Sequence, residues 1–163
     1  MQFIENDGGR AAAGYKGHAG DCVARSIAIA SGRPYAEVYE CLARGTGNQR
    51  AGKRGKRSAS ARDGINVKRK WFKEYMDTLG FTWVPTMKIG SGCKVHLADG
   101  ELPMGRLVVS VSKHYTAVID GVIHDTHDPQ RESSAFYRYN DDGSTTKQEI
   151  GGRCVYGYWK LAG

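Results

Sequence analysis

A cysteine near the start of the chain stands where it could act as a nucleophile. Cys22 follows Gly20-Asp21 and opens an apolar run. Asp21 is a residue type that favours helix N-caps, so we expect its carboxylate to accept a hydrogen bond from a free N–H group of the first turn. Cys22 then becomes the first helical residue, where these N–H groups and the helix dipole favour the reactive thiolate. The neighbouring charge of Asp21 opposes that effect.

A nucleophilic cysteine needs a base within hydrogen-bond reach and a third group that orients the base. The pair Asp120-Gly121 predicts a two-residue β-hairpin, in which residues 114–119 pair with residues 122–127. In this register His114 and Asp125 project from the same face as diagonal neighbours. A shift by one residue would turn both side chains to the other face.

These residues predict a nucleophile, a base and an orienting acid in chain order. Cys22 would attack an amide carbonyl and carry the acyl group. His114 would take the thiol proton and later protonate the leaving amine. Asp125 would fix the tautomer of the imidazole.

The layout resembles that of the papain-like cysteine peptidase superfamily, in which a cysteine opens the central helix, a histidine starts a strand and an acid or amide ends the next strand. The orienting residue there often lies in an Asn-Ser-Trp motif, and Asp125-Thr126-His127 is comparable here. The chain is also similar to small uncharacterised bacterial and phage proteins of that fold, along Gly20-Asp21-Cys22, Ile89 to Cys93, His114 to Pro129, and Cys154 to Trp159. The resemblance implies a papain-like hydrolase with a Cys22-His114-Asp125 triad, a peptide or protein substrate and no cofactor or metal.

One position departs from the superfamily's pattern. Papain-like enzymes usually carry a glutamine about six residues before the cysteine, which completes the oxyanion hole, and Lys16 stands at that position here. The candidates for the missing donor are Lys16 and His18, beside the backbone N–H of Cys22. Losing one such donor costs about a hundredfold or more in rate, so another group must supply it if the enzyme is fast.

The remaining thiols and histidines allow other interpretations. The four cysteines form no CxxC pair, which disfavours a structural zinc site, and we expect them to be free thiols: Cys22, Cys41, Cys93 and Cys154. Cys93 lies in a glycine-rich stretch and is a candidate to line the cleft, whereas Cys41 is expected in the core. A metal site stays open as an alternative, with ligands drawn from His96, His124, His127, Asp125 and Asp128.

The order of the periodic segments predicts an α+β fold. We expect a lead-in loop over residues 1–20, a buried central helix from Cys22 to about Ser31 that ends at Gly32, and further helices over residues 35–44 and 66–79. Alternating segments after Phe81 then predict an antiparallel sheet with strands over residues 81–84, 107–112, 115–119, 122–125 and 155–159. Residues 89–97 could form a short strand or a helix, and residues 132–152 a loop or an irregular hairpin. The 163 residues are expected to form a single papain-like domain.

The basic charge is concentrated in one segment. Residues 50–70 contain nine basic residues and one acid, a charge of +8, so the rest of the chain sums to about −1 of the net charge of +7. We expect a flexible surface loop over residues 45–64. The alternative function is therefore a non-enzymatic binding module that uses the segment from Arg50 to Lys70 to bind an acidic protein or nucleic acid.

The chain shows neither an apolar run long enough to span a membrane nor a secretory signal pattern, so the sequence predicts a cytoplasmic protein without a membrane partner. A further alternative is another acyl transfer on the same scaffold, such as transglutamination or the cleavage of a cell-wall amide. The missing export signal argues against a cell-wall substrate.

Overall fold

The structure is a computed structural model, and it describes residues 1–17, 19–49, 59–131, 134–150 and 152–163. Its three helices are α1 (Cys22–Ser31), α2 (Tyr35–Asn48) and α3 (Lys70–Thr78). Its strands are β1 (Gln2–Glu5), β2 (Phe81–Pro85), β3 (Arg106–Val111), β4 (His114–Ile119), β5 (Val122–Asp125), β6 (Ser134–Tyr139), β7 (Thr145–Ile150) and β8 (Val155–Leu161). The fold is therefore α+β, as the sequence predicts.

Six strands form one mixed sheet in the order β1-β5-β4-β3-β8-β2. Every neighbouring pair is antiparallel except β1 and β5, which run parallel. The predictions of a wholly antiparallel sheet and of a lead-in loop over residues 1–20 are therefore wrong. A four-residue strand is too short to show a clear alternation, and β1 exists because β5 offers its edge for pairing.

The central helix begins and ends where the sequence predicts. Eight of the ten residues of α1 are buried. Gly32 ends it in the left-handed conformation (φ 73°), and its N–H donates to the carbonyl of Ala28 at 2.9 Å. The predicted cap at Asp21 is wrong, because its side chain makes no capping hydrogen bond and is buried in an ion-pair network instead.

The other two helices differ from their predicted bounds. Helix α2 continues four residues past the predicted end and reaches Asn48, through the first part of the segment expected to be a loop. Helix α3 starts at Lys70 and not at Asn66, because the Asn66 side chain accepts a hydrogen bond from the Lys68 N–H at 3.2 Å in a local turn that precedes the helix.

The helices cover one face of the sheet. Val108, Ala117 and Trp159 point to that face and pack with residues of all three helices in the larger core cluster. Val109 and Val118 point to the opposite face and belong to a smaller cluster, which the loops between β2 and β3 help to cover. Alternation along β4 thus gives both faces of the sheet a buried core.

The glycine-rich stretch and the polar stretch are also settled by the structure. Residues 89–97 form neither a strand nor a helix, although His96 makes an isolated bridge with Cys154.

Cys93 and Cys154 form a disulfide, so the prediction of four free thiols is wrong, and only Cys22 and Cys41 are free. Spacing alone did not reveal the pair, since 61 residues separate the two cysteines. Strands β6 and β7 form a separate hairpin within the segment predicted as a loop or an irregular hairpin.

Among the helices in the described ranges, none combines the length and the apolar character that a membrane crossing requires.

Candidate active site

The hairpin of β4 and β5 places a histidine beside an aspartate. Asp120 (φ 48°) and Gly121 (φ 80°) both adopt left-handed conformations, as a type I′ turn requires, and Ile119 pairs with Val122. The predicted register is therefore confirmed. His114 at the start of β4 and Asp125 at the end of β5 share a face, and His114 Nε2 lies 2.6 Å from Asp125 Oδ2.

The N-terminus of α1 brings the cysteine to this pair, because α1 packs along β4. Cys22 and His114 line the same cleft, and the thiol interacts with the His114 side chain and with the backbone of Tyr115 in the way that lowers its pKa. Because Nε2 of His114 faces Asp125, Nδ1 is the nitrogen left for the thiol. The structure thus brings the three predicted residues together, with the hydrogen bond between His114 and Asp125 at its centre.

The electrostatic interactions among these residues favour a thiolate at Cys22 and an imidazolium at His114. Burial alone would raise the pKa of Cys22, but the hydrogen bonds with His114 and Tyr115 and the charges of His114 and Arg25 outweigh it and lower the pKa. Burial would lower the pKa of His114, yet the hydrogen bonds with Asp125 and Cys22 raise that pKa to about 9. The pKa of Asp125 is lowered, since the contact with His114 exceeds the effect of its burial.

These directions predict the titration of the imidazole rings. His114 should stay protonated up to a pH of about 9, because the carboxylate of Asp125 and the thiolate of Cys22 stabilise the imidazolium. The contribution of this charge to folding stability is complete below the ordinary pKa of 6.5 and is lost as the pH rises through about 9. A titration of the ring resonances by NMR measures the pKa, and urea denaturation at several pH values measures the change in stability.

His124 is an internal control for that titration. Its burial and the charge of Arg106 lower its pKa, so its midpoint should lie below that of an exposed histidine. A midpoint for His114 at or below that of an exposed histidine would contradict the proposed contacts with Cys22 and Asp125.

The thiol opens into a cleft of about 410 Å³. Cys22 and His114 lie on its wall together with His127, whose ring centroid is 5.0 Å from that of His114. Gly17 and Gly20, in the segment that leads into α1, also line the cleft. A substrate carbonyl placed over Cys22 could therefore approach from solvent.

Of the two predicted oxyanion donors, Lys16 is described by the structure, and it is not brought to the cleft. The side chain of Lys16 is exposed, and Lys16 does not belong to the described residues that line the cleft. Its carbonyl accepts a hydrogen bond from Arg10 at 3.2 Å. His18 lies outside the described residues. The backbone N–H groups at the start of α1 are available donors, because they have no intrahelical acceptor.

A buried ion-pair network that the sequence did not predict supports the site. Asp21, Arg25 and Asp125 are all buried, and the guanidinium of Arg25 lies between the two carboxylates. The available signal was a charged residue within a helix otherwise predicted to be buried all round, since a buried charge requires a partner. The charge of Asp21 that was expected to oppose the thiolate is compensated by this guanidinium and by that of Arg10.

Other predicted candidates lie elsewhere. Cys93 is tied to Cys154 and is not among the described residues that line the cleft, so it is not a cleft residue. The histidines proposed as metal ligands are separated: His96 contacts Glu101, and His124 contacts Asn6. Over the described ranges there is no group of three or more histidine, cysteine or acidic residues that could hold a metal ion.

An apolar groove of about 380 Å³ adjoins Tyr115, the residue after His114. Four aromatic residues and two lysines line this groove: Trp83, Tyr115, Tyr156, Trp159, Lys68 and Lys73. The backbone of Tyr115 contacts the Cys22 thiol, so the groove lies next to the site. Of the basic segment, residues 50–58 lie outside the described residues, and its role in binding stays a prediction.

The site therefore joins a thiol, an imidazole and a carboxylate beside an open cleft, which is the set that nucleophilic catalysis by cysteine requires. A scan against protein-family models, a search of curated proteins and a search of solved structures each find no match to this chain.

Proposed function

We propose that this protein is a thiol hydrolase of papain-like type that cleaves a peptide, isopeptide or related amide bond through an acyl-enzyme on Cys22. The observation that carries the proposal is the position of His114, which contacts the Cys22 thiol on one side and Asp125 at 2.6 Å on the other. A histidine with a purely structural role would not need a neighbouring thiol with a lowered pKa. Here such a thiol lies at the N-terminus of a helix and lines an open cleft.

In the first half of the reaction, the proton of the Cys22 thiol resides on His114. The thiolate attacks the amide carbonyl carbon, and a C–S bond forms while the carbonyl electron pair moves to oxygen. His114 then donates its proton to the amide nitrogen, the C–N bond breaks and the amine leaves. Asp125 keeps Nε2 of the ring occupied, so that Nδ1 faces the reacting atoms.

In the second half, the thioester on Cys22 is hydrolysed. His114 accepts a proton from water, whose oxygen attacks the thioester carbonyl. The C–S bond breaks, the carboxylic acid leaves, and the thiolate–imidazolium pair returns. The N–H groups at the start of α1 would stabilise the oxyanion in both halves, since no predicted side-chain donor among the described residues lines the cleft.

The order of the elements also supports a papain-like hydrolase. Cys22 begins the central helix α1, His114 begins β4 and Asp125 ends β5. The apolar groove that Tyr115 lines offers a place for a large apolar side chain of the substrate. A peptide or a protein with such a side chain near the scissile bond is the substrate that this surface fits.

Alkylation with iodoacetamide at low concentration and near neutral pH tests the nucleophile. We expect rapid labelling of Cys22, because its pKa is lowered, and the change Cys22→Ala should abolish the fast phase. Labelled residues are identified by mass spectrometry of the digested protein. Hydrolysis of a mixed peptide library, read by the same method, should disappear with the same variant.

Cys41 provides the matched control, since it is the other free cysteine in the described part of the chain. Cys41→Ala should leave the fast phase and the hydrolysis unchanged. Equal reactivity of Cys22 and Cys41 in the folded protein would overturn the proposal and favour the binding-module alternative.

A further inference from the structure

Arg25 is a buried charge one turn after Cys22 on α1. It is only 8% exposed, and burial of a guanidinium is unfavourable unless opposite charges compensate it. Two carboxylates provide that compensation: Nη1 of Arg25 donates to Asp21, and Nη2 lies 3.9 Å from Oδ1 of Asp125. Arg25 therefore links the start of the helix that carries the thiol to the end of the strand that carries the orienting acid.

Asp21 is the fixed end of this link. It is 1% exposed, and besides Arg25 it contacts the guanidinium of Arg10 at 3.2 Å and accepts a hydrogen bond from the hydroxyl of Tyr35. Contacts from three sides hold this carboxylate in one orientation. A carboxylate held in this way restricts the rotamer of Arg25, because its guanidinium is planar and its donors have a fixed geometry.

Asp125 is the other end, and its two oxygens have different partners. Oδ2 faces Nε2 of His114 at 2.6 Å, whereas Oδ1 accepts the backbone N–H of Thr126 at 2.7 Å and faces Arg25. The guanidinium is thus on the side of the carboxylate away from the imidazole. Without Arg25, Thr126 alone would hold Oδ1, so the carboxylate would be oriented less firmly and the angle at which His114 meets the thiol could change.

We propose that Arg25, held by Asp21, is a positioning residue that sets the orientation of Asp125 and through it the alignment of His114 with Cys22. This inference rests on the proposed thiol-hydrolase function. Arg25 also lies on the wall of the cleft, and the step that it supports is the transfer of the proton between the thiol and the imidazole. The positive charge of Arg25 also contributes to the lowered pKa of Cys22.

The test compares Arg25→Met with Arg25→Lys in the full chain. Arg25→Met should lower kcat for peptide hydrolysis about 10- to 100-fold with little change in KM, since a small misalignment of a catalytic group has effects of that order. It should also move the pH dependence of Cys22 alkylation to higher pH. Arg25→Lys should retain the alkylation profile, but one ammonium group cannot span both carboxylates, so most of kcat should still be lost.

Asp21→Asn tests the other end of the link and serves if Arg25→Met does not fold. The change preserves the side-chain shape but removes the charge that holds Arg25, so kcat should fall in the same direction and by a smaller factor. The matched control is Arg33→Met, which removes an exposed guanidinium that pairs with Glu37 at 3.3 Å on the surface of α2. This control should leave kcat and the alkylation profile unchanged.

The outcomes separate this inference from the proposed function. If folded Arg25→Met and Asp21→Asn keep the wild-type kcat and alkylation profile, Arg25 is not a positioning residue, whatever the protein hydrolyses. If the wild-type protein hydrolyses no amide but Arg25→Met still shifts the alkylation profile, the proposed function fails while the link from Arg25 to Cys22 and His114 stands.

Discussion

Replacement of His114 by glutamine is expected to lower the rate of amide hydrolysis about 10²- to 10⁴-fold at neutral pH, the range that a general acid–base group contributes. The glutamine amide can still accept a hydrogen bond from the thiol, but it cannot hold the thiol proton or protonate the leaving amine. The pKa of Cys22 should rise as well, because the hydrogen bond and the charge of His114 are the main influences that lower it against burial. Steady-state kinetics and the pH dependence of alkylation measure the two effects.

His124→Gln is the matched control. This histidine lies on the neighbouring strand β5, and its Nδ1 contacts the side chain of Asn6 at 3.4 Å. The change alters a ring of the same type in the same hairpin without touching the thiol, so kcat should stay near the wild-type value. If His114→Gln hydrolyses peptides as fast as His124→Gln does, His114 is not the base.

Truncation of Phe72 to alanine is expected to lower the free energy of unfolding by about 3–5 kcal/mol, the typical cost of removing a buried aromatic ring. Phe72 on α3 is 0% exposed, and its ring meets Trp159 of β8 edge to face at a centroid distance of 6.1 Å. It therefore joins the third helix to the helix-covered face of the sheet. Urea denaturation followed by tryptophan fluorescence measures the change, since Trp159 reports on the same contact.

Tyr139→Ala is the control for that loss. Tyr139 is 81% exposed, so removal of its ring creates no cavity and should change the free energy of unfolding by less than about 0.5 kcal/mol. Comparable losses for the two variants would mean that Phe72 is not part of a close-packed core. The neighbouring ring of Trp71 on α3 is only partly buried, whereas Phe72 is fully buried.

Interactions between residues that are close in sequence determine much of the candidate site. Gly32 ends α1 because a left-handed backbone excludes most side chains, and the sequence shows that glycine directly. Asp120-Gly121 determines the turn type, the turn determines the register, and the register places His114 and Asp125 on one face. These conclusions depend on interactions between residues that are close in sequence, and the structure confirms them.

Contacts between distant residues were decided only by the tertiary structure. Three features join segments that show no preference for each other in the sequence. They are the parallel pairing of β1 with β5, the disulfide between Cys93 and Cys154, and the contacts that bury Asp21. Asp21 illustrates the reason most clearly. Its residue type favours a helix cap, but the packing of α1 places Arg25, Arg10 and Tyr35 around it, and a buried ion pair replaces the local hydrogen bond. The sequence by itself determined the three residues that can do chemistry, whereas the tertiary structure decided which charges surround them.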